Sequence, residues 1–164
     1  MLKKFCFLGA LFVIVLGSLA HFFYDLSRNN ILIGLFAPVN ESTWEHMKLV
    51  FFPMLIFSIF AYFKLKEEYP CILSSLLSGI LIGTFLIPVV FYTYSGILGM
   101  NKFMGNIATF IFAVVVSFIS IYKSAQTCRF QNFTSILYWT VLILILCFFI
   151  FTIAPPPIGL FAEP

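Results

Sequence analysis

Long apolar runs separated by short polar stretches set the pattern of this chain. Five runs have membrane-crossing length, at about 5–24, 47–63, 71–94, 103–122 and 134–154. A helix rises 1.5 Å per residue, so about 20 apolar residues cross a ~30 Å hydrocarbon core. The pattern predicts an all-α polytopic membrane protein, a five-helix transmembrane bundle making one integral membrane domain over 1–164. The first run also has the parts of a signal peptide: Lys3 and Lys4, an apolar stretch from Phe5 to Leu16, and Ser18-Leu19-Ala20 as a cleavage site. Its apolar character continues through Phe22-Phe23, which favours a first transmembrane helix.

The connections carry their own signals. Residues 25–46 form the longest one, and inside it Ile31 to Val39 is apolar but too short to cross. Asn29-Asn30 and Gly34 on one side and Pro38 on the other make it an interfacial or re-entrant segment between helices 1 and 2. Ser75, Gly79 and Gly83 recur every fourth residue, a small-residue stripe along which helices approach closely in lipid. Pro53 and Pro88 predict kinks, and Pro155-Pro156-Pro157 ends the last helix and turns the tail back over the membrane surface.

Composition agrees with this class. Charged residues are 9% of the chain against about 25% in soluble domains, and 23 Phe exceed what a soluble core of this size could hide. The net charge of +3 is spread between apolar runs with no basic face, so the lipid bilayer is the expected partner and nucleic acid is not. Lys3, Lys4, Lys64, Lys66, Lys123 and Arg129 fall at one end of the bundle, and Arg28, Lys48 and Lys102 at the other. The excess predicts a multi-pass cell-membrane protein with its N-terminus cytoplasmic and its C-terminus outside. Cys6, Cys71, Cys128 and Cys147 show no paired spacing and read as packing residues.

Against this apolar background the string Pro38-Val39-Asn40-Glu41-Ser42-Thr43-Trp44-Glu45-His46-Met47-Lys48 stands out. On the first helix His21, Tyr24, Asp25 and Arg28 follow the spacing of one helical face at its outer end, and Glu41, Glu45 and Lys48 share a face of the second. His21, Asp25 and His46 as metal ligands, with Glu41 and Glu45 as further ligands or a catalytic base, form a set that zinc or manganese accepts. Asn40, Arg28, Lys48, Tyr24, Tyr92 and Asn101 are candidate ligand-binding groups around it. The implied cofactor is a divalent metal ion. The same ionisable groups also fit an ion or solute path.

A plainer reading stands beside these. Ser42-Thr43-Trp44-Glu45 has capping-box spacing, Asn40 is a competing N-cap, Trp44, Tyr92 and Tyr94 suit an interfacial aromatic belt, and Lys48 can snorkel to the surface.

The chain resembles a family of small bacterial, mostly Gram-positive, multi-pass membrane proteins of unknown function. The resemblance is carried by His21-Phe22-Phe23-Tyr24-Asp25, by the string Pro38 to Leu49, by Tyr92-Thr93-Tyr94-Ser95-Gly96-Ile97-Leu98-Gly99-Met100-Asn101, and by Pro156-Pro157-Ile158-Gly159-Leu160-Phe161. It implies no reaction or ligand. It departs at Ala162-Glu163-Pro164, where relatives tend to carry an aspartate and run on further, so it assigns the tail no catalytic role. The expectation is a membrane protein with an outer-leaflet polar pocket for a metal ion, polar headgroup or solute, with catalysis left open. The alternatives are a non-enzymatic assembly or anchoring protein, or a small ion or solute transporter.

Overall fold

The computed structural model describes residues 1–163. Its regular structure is helical throughout: α1 Leu2–Ala20, α2 Phe23–Leu26, α3 Ile31–Gly34, α4 Thr43–Leu65, α5 Ile72–Leu98, α6 Phe103–Thr127 and α7 Thr134–Ile153, with 3-10 turns at Gln131–Phe133 and Gly159–Phe161. Five of these helices are long and apolar enough to cross a membrane, the last counted from Gln131. The five predicted runs therefore correspond to α1, α4, α5, α6 and α7.

α5 is the central pillar, packed on α4, α6 and α7, while α1 closes the bundle against α4 and α6. The α5–α6 seam is the small-residue stripe at work. A Cβ added at Gly79 would strike the Ile121 side chain, and one added at Gly83 would strike the Ser117 hydroxyl, so only glycine allows these backbones their approach. Val13, Val50, Phe51, Met54, Ile80, Val114 and Phe148 fill the interior. Phe7, Phe60 and Phe63 point outward, each about two-thirds exposed, which suits hydrocarbon and not water. Pro53 and Pro88 lie inside α4 and α5 without ending them.

Between α1 and α4 the chain makes no crossing. α1 stops at Ala20, α2 follows after a break, and Arg28 and Asn29 take the left-handed conformation before α3. The continuous helical face expected for His21, Tyr24, Asp25 and Arg28 is thus broken. The shared face of Glu41, Glu45 and Lys48 is also lost, because α4 begins at Thr43 and leaves Glu41 in the preceding loop.

Two further expectations are corrected. Cys71 and Cys128 are disulfide-bonded, with Cα atoms 5.3 Å apart and a sequence separation of 57, so they tie the start of α5 to the end of α6. Local spacing could not show this, because the antiparallel packing of the two helices creates the proximity. Cys6 and Cys147 remain free and half-buried. Trp44 is not at a lipid interface but inside the protein, between Phe148 and Phe151 of α7 and Phe161 of the tail. That contact, with a hydrogen bond from the Tyr92 hydroxyl to the Gly159 carbonyl at 3.1 Å, seats the tail back on the bundle as its prolines predicted.

Candidate metal centre at the loop end

α4 starts at a short, heavily bonded corner. Asn40 Oδ1 accepts from the Ser42 amide at 3.0 Å, and Ser42 Oγ accepts from the Glu45 amide at 3.3 Å. Ser42 is therefore the N-cap, and Asn40 shapes the turn before it. The second half of the capping box does not form. Instead of returning to Ser42, the Glu45 carboxylate accepts from the Val39 amide at 3.0 Å and pairs with Lys48 at 2.6 Å.

Lys48 does not snorkel. It is fully buried, and its ammonium spends its three protons on Glu45, on the Gly34 carbonyl at 2.8 Å and on Thr152 Oγ1 of α7 at 2.6 Å. A buried ammonium tolerates this position only with partners for every proton. The network fastens both ends of the 34–39 segment to α4 and α7, and thereby fixes the loop that presents Glu41.

Glu41 sits between two imidazoles. Its Oε1 lies 3.6 Å from His21 Nε2 at the end of α1, and its Oε2 lies 3.3 Å from His46 Nε2 on the first turn of α4. The candidate ligand atoms of the three residues all fall within 4.8 Å of one another. Two donors bound tetrahedrally to one zinc at about 2.1 Å are ~3.4 Å apart, so these two separations are compatible with a shared ion as well as with direct imidazole–carboxylate contact. His46 Nδ1 lies 2.9 Å from the Ser42 carbonyl, which can only accept. A proton on Nδ1 is placed to bond that carbonyl, which would leave Nε2 as the ligating atom for a cation held beside Glu41, the orientation in which a ligating histidine is normally held. The rings of His21 and His46 pack at 5.4 Å.

Beside Glu41 and His46 a small cleft opens between α4, α5 and α6, bounded by Ile87, Phe91, Asn106 and Thr109. It offers about 30 Å³, room for one or two waters.

The other sequence candidates are distributed differently. Asp25 and Arg28 are exposed and outside the cluster, because α1 ends at Ala20 and α2 does not continue its face. Tyr24 packs on Gly34, where an added Cβ would lie 3.0 Å from its ring. Asn101 accepts from the Tyr94 hydroxyl at 3.0 Å, and that hydroxyl also bonds Asn106 at the cleft. Sequence reasoning missed Thr152, Asn106 and Thr109. Thr152 had one available signal, a hydroxyl in the last turn of a nearly unbroken apolar helix at the end where Lys48 needs acceptors.

The whole chain, residues 1–164, matches a family of unknown function, DUF6512. The chain belongs to DUF6512. No curated protein and no solved structure matches it. For this DUF6512 protein, function has to be argued from the His21–Glu41–His46 cluster and its surroundings.

Proposed function

We propose that this DUF6512 protein is an integral membrane protein that binds one divalent cation through His21 Nε2, the Glu41 carboxylate and His46 Nε2. The carrying observation is that the end of α1 brings the His21 imidazole to the Glu41 carboxylate and the His46 imidazole at the start of α4, 20 and 25 residues further along the chain. Zinc and manganese are the ions such a donor set suits. Three protein ligands leave open positions, the arrangement of catalytic rather than structural zinc. The adjoining cleft supplies space for water or a polar headgroup oxygen at those positions. The chemistry this supports is metal-activated attack of water on an ester or phosphoester at the membrane surface. Glu45 is not the base in this reading, because Lys48, Val39 and Thr152 occupy its carboxylate.

The competing assembly or anchoring reading draws on the Glu45–Lys48 network, whose polar atoms are satisfied inside the protein and do no chemistry. Metal content separates the two. Purified protein dialysed against limiting zinc or manganese should retain about one ion per chain, and His46→Ala and Glu41→Gln should each lose it. Equal, near-zero content in wild type and both variants would remove the cation site.

For topology, the lysine-rich end is read as cytoplasmic. The Cys71–Cys128 bond at that same end counts against this orientation, because disulfides persist in oxidising compartments.

A further inference from the structure

A second and larger cavity lies away from the proposed metal centre. A groove of about 410 Å³ runs between α1 and α6, floored by Cys6, Ala10 and Ile14 on one side and Phe118 on the other, with Lys3 and Tyr122 at one end. From Lys3 to Ile14 a helix advances ~16 Å, about half the thickness of a hydrocarbon core, so the groove spans one leaflet. Its polar groups sit only at the headgroup end, and the rest of its wall is apolar. That is the shape and polarity of one acyl chain with its phosphate at the surface.

Charge selects among lipids. Lys3 has no carboxylate partner among the described residues. Its end of the bundle also carries Lys4, Lys64, Lys66, Lys123 and Arg129, opposed by Glu67 and Glu68 alone in the chain that connects α4 to α5. We infer that the α1–α6 groove is a binding site for an anionic phospholipid, one acyl chain lying from Lys3 to Ile14 and its phosphate on the Lys3 ammonium. This site is independent of the cation centre, which lies at the opposite end of α1.

The test uses full-length protein reconstituted in nanodiscs with equal phosphatidylglycerol and phosphatidylcholine, released into the gas phase for native mass spectrometry. Wild type should retain phosphatidylglycerol over phosphatidylcholine by about fivefold, the factor matching ~1 kcal/mol per lysine near a headgroup. Lys3→Gln should bring the ratio close to one while keeping a bound lipid. Ala10→Trp, which fills the groove, should lose both lipids. Leu11→Trp on the same wall, where the side chain is already half exposed, repeats the block should Ala10→Trp misfold. Equal retention of the two lipids by wild type, or undiminished lipid in the groove-filling variants, overturns the inference. So does a dimer that the tryptophan variants dissolve, since the groove would then hold a second copy of the chain.

Discussion

Replacing Lys48 by methionine tests the part of the structure on which the proposed metal centre depends. The substitution keeps side-chain length and removes the charge, so Glu45, only 3% exposed, is left as a buried carboxylate facing Val39 and Thr152. Breaking one side of a buried ion pair costs about 3–5 kcal/mol. The orphaned Gly34 carbonyl adds ~1 kcal/mol or more. Against a total stability of roughly 5–15 kcal/mol this is a large fraction. Glu45→Leu alone should cost a similar amount, because it strands the ammonium. The double variant removes both charges and should cost no more than the worse single, giving a coupling of about 3 kcal/mol. Equilibrium unfolding in mixed micelles measures all four corners of the cycle. Lys48→Met should also weaken zinc binding, since the segment leading to Glu41 loses its anchor. Additive single effects within ~0.5 kcal/mol would refute the claim that these groups act as one network.

Three other outcomes are expected. Gly79→Leu should destabilise the bundle by about 1–3 kcal/mol or more through the Ile121 contact, measured by the same unfolding assay, whereas Gly96→Leu, with open space around it, should not. Cys71→Ser should lower the stability of the oxidised protein by about 2–4 kcal/mol, and acid-trapped thiol labelling of intact cells decides the topology: an intact Cys71–Cys128 bond puts the lysine-rich end outside, and reduced thiols put it in the cytosol. Zinc loaded onto the proposed centre should be released on acidification, because protons compete with the metal for imidazole nitrogens, and zinc retention that does not change between pH 8 and pH 5 would count against His21 and His46 as ligands.

The fold was legible because lipid imposes a simple code. Run length and apolarity located all five long helices, and the Ser75, Gly79, Gly83 stripe located the tightest seam. The site was legible only in part. Histidine and glutamate in an apolar chain marked His21, Glu41 and His46, but helical periodicity grouped them wrongly. It extended α1 through Asp25 and Arg28, although nothing local announces that the helix stops at Ala20. Glu45 looked like a completed cap because spacing predicts what a side chain can reach and not which partner competes for it. A buried ammonium three residues away outcompetes an amide that Asn40 already satisfies. The Cys71–Cys128 bond lay beyond reach and Thr152 left only its lone hydroxyl as a signal, since their partners are 57 and 104 positions away and only packing brings them close.

The Lys48 network also imposes an order on biosynthesis. Two of its partners, Glu45 and Gly34, are 3 and 14 residues away and emerge with α4, but Thr152 is 104 residues away on the last span. At about 5–20 residues per second, the ribosome delivers that hydroxyl roughly 5–20 s after the lysine. For that interval the ammonium has a proton without its final acceptor. Insertion of α7 supplies it and completes the network that holds the loop end.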